Sequence, residues 1–213
     1  MKWIYLSIII LLVTASVSAQ SFGSITYNAA VPQDNLRDFV DSESWRGFGV
    51  EGRWFQSSNL SFGLSFGWNV FDQRTNTPIQ IQGSDIVDGE NSENIRATVT
   101  GTQIRYVNSF PIMATGHFYI GKKRETIRIY GGAGVGTYHI KQRLEIGLVA
   151  FEENNWHFGI APEAGLLLRF SRDVTMIFNI KYNYAFSSGK TVSGEDNDVA
   201  YWGFNIGFAW QSW

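Results

Sequence analysis

The stretch VTMIFNIKYNYAF at residues 174–186 decides how this chain folds, because its side chains alternate in character with a period of two. Every even position in it is apolar or aromatic, whereas the odd positions include Thr175, Asn179, Lys181 and Asn183. Such alternation predicts a β-strand with one apolar face and one polar face.

The C-terminal segment repeats this alternation with larger side chains. Its small or polar odd positions separate five large apolar residues: Trp202, Phe204, Ile206, Phe208 and Trp210. A continuous face of such large rings exceeds what a small soluble sheet needs, and it is typical of a strand that faces lipid.

The N-terminus predicts a cleaved signal peptide at residues 1–19 and a mature domain at residues 20–213. Lys2 supplies a positive charge, residues 4–13 form an apolar run, and Val17-Ser18-Ala19 has the small residues of a cleavage site. The apolar run is shorter than the roughly 20 residues that a membrane-spanning helix needs.

Composition excludes several classes of function. Without Lys2 the chain holds 16 basic and 19 acidic residues, a formal charge of −3, whereas a nucleic-acid-binding domain usually shows a basic face. The chain has no cysteine, which excludes disulfide and thiol chemistry. After residue 19 no stretch approaches 18 apolar residues, so a membrane-spanning structure would have to be a closed β-barrel.

The alternating segments predict an all-β fold, an eight-stranded antiparallel up-and-down transmembrane β-barrel. The predicted strands are 22–31, 45–56, 60–71, 100–120, 127–142, 157–170, 174–186 and 199–212. Short connections at 57–59, 121–126 and 171–173 alternate with long acidic loops at 32–44, 72–99, 143–156 and 187–198. This layout is typical of an outer-membrane barrel with both termini in the periplasm.

Within each predicted strand, side chains at even and odd positions point to opposite faces of the wall. This even or odd position, which we call the parity of the residue, assigns each side chain to lipid or to the lumen. The large outward rings predict aromatic girdles at the two membrane surfaces, formed by Trp54, Trp68, Phe170, Tyr184, Phe186, Trp202 and Trp210. The opposite parity gathers many glycines, such as Gly63, Gly132 and Gly165, because an eight-stranded lumen has little room for side chains. It also predicts a polar network in the lumen: Glu51, Arg53, Arg105, His117, Arg128, Tyr130, Glu163, Arg169 and Lys181.

Turn lengths predict which lumen residues face one another. With a three-residue turn at 171–173, Glu163 lies opposite Lys181, and the two should form an ion pair because a buried charge persists only when it is paired or hydrated. With a six-residue turn at 121–126, Tyr119 should lie opposite Arg128 and His117 opposite Tyr130.

These features together resemble the small outer-membrane β-barrel family of OmpX, OmpW and the OmpA membrane domain. The segments WRGFGVEGRWF at 45–55 and LSFGLSFGW at 60–68 look like strands of that family. The resemblance implies location in the outer membrane, contact with membrane lipid and lipopolysaccharide, and assembly by the barrel-insertion machinery, but no uniform activity. Members usually end in an aromatic residue with apolar residues two, four and six places earlier. Trp213 is preceded on its parity by Gln211, Ala209 and Gly207, so the sequence leaves open whether Trp213 acts as the assembly signal.

Three motifs have residue types that can carry chemistry, and none predicts a cofactor, a metal or catalysis. The run GGAGVG at 131–136 is not followed by the helix that a phosphate-binding loop requires. His117, His139 and His157 have no serine fixed nearby by the sequence. The acidic residues of loop 72–99 do not follow the spacing of a calcium loop, although loose cation bridging to lipopolysaccharide is compatible with them.

The expected function is therefore that of a non-enzymatic barrel whose lumen is filled by side chains. It would support the envelope or bind a surface partner through its outer loops, of which loop 72–99 is the best candidate. In that loop, 79–82 and 95–99 could extend the third and fourth strands and expose a sheet edge to a partner. The alternatives are a narrow channel for small hydrophobic molecules, a lipopolysaccharide-modifying enzyme, and a soluble sandwich or lipocalin-like barrel.

Overall fold

A computed structural model describes residues 21–75, 79–83, 95–99, 102–122, 125–146, 149–188 and 197–211. The predicted signal peptide and Trp213 lie outside these residues. The elements are β1 (Ser21–Gln33), α1 (Asp34–Phe39), β2 (Arg46–Phe55), β3 (Leu60–Thr75), β4 (Ile79–Gly83), β5 (Ile95–Val99), β6 (Gln103–Ile120), β7 (Ile127–Ile146), β8 (Val149–Arg169), β9 (Val174–Ala185) and β10 (Val199–Gln211). In the described part of the chain, no helix is long and apolar enough to cross a membrane.

Eight of the strands form one closed antiparallel barrel, in the order β1-β10-β9-β8-β7-β6-β3-β2. The first and last strands close it, with pairs from Phe22↔Gln211 to Gln33↔Ala200. The predicted all-β, eight-stranded up-and-down barrel is therefore confirmed. We call the end that holds the first residues of β1, the last residues of β10 and the short turns the inner end, and the end with the long connections the outer end.

Two of the predicted outer loops are wrong. Residues 143–156 belong mostly to strands, because β7 and β8 remain paired up to Ile146↔Val149. Residues 34–39 of the predicted loop 32–44 form the short helix α1. Beyond the apolar zone both faces of a strand meet polar surroundings, so the alternation that marks the membrane-spanning part disappears from the sequence.

The predicted extension of loop 72–99 is present as a separate two-stranded sheet of β4 and β5. The β3–β6 ladder ends at Thr75↔Gln103, and the β4–β5 ladder begins at Ile79↔Val99 in the same register. The two segments therefore form strands, as predicted, but in a sheet separate from the barrel.

The two faces of the barrel wall follow the predicted parity. The large exposed apolar side chains are outward residues such as Phe62, Phe66 and Phe208, about half exposed, whereas inward residues such as Arg53 and Ser61 are fully buried. An outward apolar band and a closed ring of strands are the two properties that a protein needs to span a bilayer with β-structure.

One predicted register is wrong. The β6–β7 ladder begins at Ile120↔Ile129, so Tyr119 lies opposite Tyr130 and His117 opposite Gly132. Pairing starts two residues later than expected, and the connection contains Gly121, whose φ of 94° lies in the left-handed region that glycine adopts readily. The shift of two residues preserves the parity, so all these side chains still face the lumen.

Candidate functional site

The centre of the lumen is a set of five ionisable side chains that we call the lumen charge cluster: Glu51, Arg53, His117, Glu163 and Lys181. Arg53 lies in the middle and is fully buried. Its Nη2 donates to Glu51 Oε2 at 2.7 Å and to Glu163 Oε1 at 3.2 Å. The same guanidinium donates to the hydroxyls of Tyr130 at 3.2 Å and Tyr119 at 3.1 Å. Arg53 therefore joins residues of four different strands.

Glu163 is the second residue, after Arg53, that contacts several members of the cluster. Lys181 Nζ lies 2.7 Å from Glu163 Oε2, and the two residues are directly opposed on β8 and β9, which confirms the predicted ion pair. His117 Nε2 lies 2.7 Å from Glu163 Oε1 and 3.4 Å from Glu51 Oε1. Thr115 donates to the same Glu51 oxygen at 3.1 Å. Each carboxylate thus has a cationic partner as well as a further polar contact.

The cluster holds three groups that could ligate a metal ion, namely Glu51, His117 and Glu163, with ligand atoms within 4.8 Å of one another. Both carboxylates are, however, already paired with Arg53 or Lys181, and a divalent cation would be repelled by these two charges. We interpret the cluster as a balanced ion-pair network, and we assign no metal to it.

Below the cluster, toward the inner end, lies an apolar layer that we call the inner floor: Phe22, Phe55, Tyr119, Tyr130, Leu167, Ile177 and Ala209. The rings of Phe55 and Tyr119 lie 5.1 Å apart, and those of Tyr119 and Tyr130 lie 5.5 Å apart. The Arg53 guanidinium stacks over the Tyr130 ring at 4.6 Å. The floor therefore supports the charge cluster from below and closes the lumen.

Above the cluster lies a second apolar layer, the upper layer: Ala30, Phe71, Val107, Met113, Tyr138, Ile140, Ala161, Ala185, Val199 and Tyr201, with Leu36 and Val40 from the α1 segment. The sequence interpretation placed Tyr119 and Tyr130 in the lumen but assigned the other rings to lipid, so it did not predict the two apolar layers. The signal that could have revealed these layers is that their residues occupy inward-facing positions of the strands. The glycines fit against these layers, since a Cβ at Gly165 or Gly159 would overlap the ring of Tyr130 or Tyr138.

A chamber of about 50 Å³ lies beside the charge cluster, against β1, β2, β3, β6, β9 and β10. Its lining includes Lys181 and the carboxamides of Asn28, Asn69, Asn179, Asn183 and Asn205. The buried Asn69 Oδ1 has no hydrogen-bond partner in the protein. A cavity of this size is large enough for a few ordered water molecules, which would hydrate the Lys181 side of the cluster.

Three of the nine predicted network residues lie elsewhere in the barrel. Arg105 is at the outer mouth, where its Nη1 donates to the backbone carbonyls of Asp38 and Phe39. Arg128 is at the inner end, donates to the Ser58 carbonyl and stacks over Tyr119 at 4.6 Å. Arg169 is the last residue of β8 at the inner end. The sequence predicted correctly that these three residues face the lumen. They lie at other depths along the barrel axis than the lumen charge cluster, and the sequence pattern does not report depth.

The predicted girdle residues lie on the outer surface at the two ends of the apolar band. Trp54, Phe170 and Trp210 are exposed at the inner end, while Phe186 and Trp202 are exposed and Trp68 and Tyr184 half-buried at the outer end. At the outer end the rings contact one another from strand to strand. The rings in contact along this belt are Phe48, Trp68, Phe110, His139 and Trp156, and then Phe158, Phe186, Tyr184, Tyr182 and Trp202. The prediction named only four members of this belt.

None of the three histidines forms a hydrolytic arrangement with the described residues. His139 stacks on the outer surface, 4.7 Å from the Trp156 ring. His157 is buried, and its Nδ1 lies 2.9 Å from the Phe186 carbonyl oxygen. His117 contacts carboxylates on the side of Nε2. A nucleophile paired with a base, which hydrolysis requires, is not present among these contacts.

A closed antiparallel ring, an apolar outer band and a filled lumen define the class of small transmembrane β-barrels. Solved structures with this fold are similar to the chain. Ail, the attachment invasion locus protein of Yersinia pestis, is 16% identical with a TM-score of 0.52, covering 91% of this chain and 99% of Ail. Neisserial surface protein A is 10% identical with a TM-score of 0.51, covering 90% and 96%.

A major outer membrane protein from Thermus thermophilus is 10% identical with a TM-score of 0.52, covering 91% of this chain and all of the other. No protein-family model matches the sequence, and no curated protein sequence is similar to it. The chain therefore has the fold of the small outer-membrane β-barrels, which agrees with the predicted resemblance and location.

Proposed function

We propose that this protein is a non-enzymatic integral barrel of the outer membrane that acts through its outer end. It would support the structure of the envelope or bind a surface partner, and it would contact membrane lipid and lipopolysaccharide. The observation that carries this proposal is the filled lumen: the inner floor, the lumen charge cluster and the upper layer follow one another along the axis. A solute would have to displace all three layers.

The outer end offers a surface for such binding. Four strands, β3, β6, β7 and β8, extend farther outward than the strands beside them. The neighbouring strand β2 reaches only to Arg46↔Val70, and β9 reaches only to Gly159↔Ala185. Ion pairs cover the outward face of this four-stranded extension, for example Lys141–Glu152 at 2.6 Å and Arg143–Glu145 at 2.6 Å. The hydrogen bond and charge of Lys141 lower the pKa of Glu152. The extension is therefore a platform of paired strands with a polar surface.

The β4–β5 hairpin is the part of the outer end that we propose for partner binding. Its two strands pair only with one another among the described residues. Each strand therefore presents an edge whose backbone groups could pair with an extended segment of a partner.

The charge of the outer end favours a basic partner or a cation-bridged one. The residues of the α1 segment and of loop 72–99 include Asp34, Asp38, Asp41, Glu43, Asp85, Asp88, Glu90 and Glu93, against Arg37, Arg74 and Arg96. The Ail structure contains the heparin analogue sucrose octasulfate, a polyanion. Because like charges repel, we do not extend that ligand to this chain.

A loop replacement tests this function. Residues 76–102 are replaced by Asn-Gly, which can join Thr75 to Gln103 as a two-residue hairpin turn. The variant should insert and shift in gel mobility on boiling, as the parent does. Bacteria that make only this variant should show the envelope or attachment defect of bacteria that lack the protein. Full function in the variant would show that the hairpin is dispensable, and loss of the barrel would show that it is structural.

The narrow channel for hydrophobic molecules is the second candidate, and the apolar upper layer is the observation that favours it. The inner floor and the charge cluster argue against passage through the axis. Conductance of the purified protein in a planar bilayer separates the two, because a filled lumen predicts no steady open level. The enzyme alternative is tested by weighing lipopolysaccharide after incubation with the protein, and unchanged masses are expected.

A further inference from the structure

The connection between β1 and β2 folds back into the outer mouth of the barrel. We call residues 34–43 the plug. Leu36 and Val40 of the plug are buried against the upper layer, whereas Arg37 and Asp41 point outward with side chains 64% exposed. The plug therefore closes the outer half of the lumen with two apolar side chains.

Side chains of the barrel hold the plug in place. Arg105 Nη1 donates to the carbonyl oxygen of Phe39 at 2.8 Å and to that of Asp38 at 3.3 Å, and its guanidinium lies 5.6 Å from the Phe39 ring. Gln73 Oε1 accepts from the Asp41 backbone N–H at 2.9 Å. Asn35 Nδ2 also donates to Asp198 Oδ1, and the Tyr182 hydroxyl donates to Asp34 Oδ2 at 3.5 Å. Among these barrel groups, Arg105 is the one that binds two plug carbonyls.

The backbone of the plug is separate from the barrel ladder. Strand pairing of the flanks ends at Gln33↔Ala200 and at the Ala30↔Ser44 bridge. Between these points the backbone hydrogen bond of the described plug residues is internal, from Val40 N to Leu36 O. The plug can therefore leave the mouth without breaking a strand pair.

The entry into the plug is conformationally strained. Asp34 has a φ of 47°, and among the described residues it is the only non-glycine residue with a positive φ. An aspartate tolerates this region but is less stable there than in an extended conformation. A change of the Asp34 backbone to an extended conformation would therefore be favourable and would swing the plug about this residue.

We propose that residues 34–43 form a lid that opens as a unit about Asp34 and Ser44, with Arg105 as its latch. Opening withdraws Leu36 and Val40 and exposes the upper layer to the outside. The inner floor and the lumen charge cluster belong to the barrel wall and stay in place. With the lid open, the lumen is accessible from the outer end only, so the barrel does not become a pore. We call this arrangement the closed cup.

Cysteine labelling tests the lid, because the native chain contains no cysteine. A membrane-impermeant maleimide is applied to the folded Val40→Cys variant, with Asp41→Cys as the exposed control. We expect Val40→Cys to react slowly but completely, and at least 10-fold more slowly than Asp41→Cys. Addition of Arg105→Ala should raise the rate of Val40→Cys at least 10-fold and leave the rate of Asp41→Cys within 2-fold.

A second variant separates lid opening from damage to the barrel. Leu36→Ser removes an apolar contact of the plug and leaves the barrel wall unchanged, so it should also accelerate labelling of Val40→Cys. Each protein is checked for the mobility shift on boiling, and Arg105→Ala is measured in a planar bilayer. Unchanged Val40→Cys labelling in both variants would overturn the lid. A steady open conductance in Arg105→Ala would overturn the closed cup.

Discussion

Glu163 on β8 lies directly opposite Lys181 on β9, and the Lys181 Nζ is 2.7 Å from Glu163 Oε2. The Glu163 side chain is also shared by Arg53 and His117. One carboxylate therefore connects β9 to β2 and β6 across the lumen. In surroundings with few polar groups, each member of such a set depends on the others for its charge compensation.

This dependence predicts strong coupling between the two residues. Glu163→Gln should lower the free energy of unfolding by about 3–5 kcal/mol, because it leaves the Lys181 ammonium without its partner and removes one carboxylate from Arg53. Lys181→Met should cost less, about 1.5–3 kcal/mol, because Glu163 keeps its contacts with Arg53 and His117. The double variant should be less destabilised than the sum of the single variants by about 1–3 kcal/mol. Urea unfolding of the four proteins in lipid vesicles measures the cycle, and additive losses would contradict the coupling.

Arg53 should be the most sensitive residue of the lumen. Arg53→Met removes the cation that binds Glu51, Glu163 and two tyrosine hydroxyls, and we expect a loss of about 3–5 kcal/mol in unfolding free energy. Arg46→Met is the matched control, since Arg46 pairs with Asp72 on the exposed outer surface. That pair should contribute no more than about 1 kcal/mol. Equal effects of the two substitutions would show that the cluster has no special role.

The lumen glycines should resist even a methyl group. In Gly165→Ala the new Cβ would overlap the Tyr130 ring, and the resulting shift should cost about 1–3 kcal/mol of unfolding free energy. Gly131→Ala is the control, because a Cβ at Gly131 meets nothing within 4 Å. Thermal or urea unfolding in vesicles compares them, and a neutral Gly165→Ala would mean that the lumen is less crowded than described.

The sequence predicts the membrane-spanning part of this fold well, for a physical reason. A strand with lipid on one face and a narrow lumen on the other alternates strictly, so parity assigns residues such as Phe208 and Glu163 to the correct face. The turn at 171–173 is short enough to fix the β8–β9 register by length alone.

Features outside that zone leave weaker signals. The β7–β8 extension has two polar faces and no alternation, and the six-residue α1 is too short to show a helical period. The β6–β7 connection is too long for its length alone to fix the register, and the ladder starts at Ile120↔Ile129. The apolar rings inside, such as Phe71 and Tyr201, follow the inward parity, but composition alone suggested that rings belong in lipid.

The central claim is that even positions of β10 face lipid while odd positions face the closed interior of the barrel. Single cysteines at 204, 206, 208, 205 and 209 of the protein in lipid vesicles are spin-labelled and scanned for collision with oxygen, which dissolves in lipid. The three even sites should show high oxygen accessibility, and sites 205 and 209 should show low values. High values at 205 and 209 with low values at the even sites, or no alternation, would contradict the barrel described above.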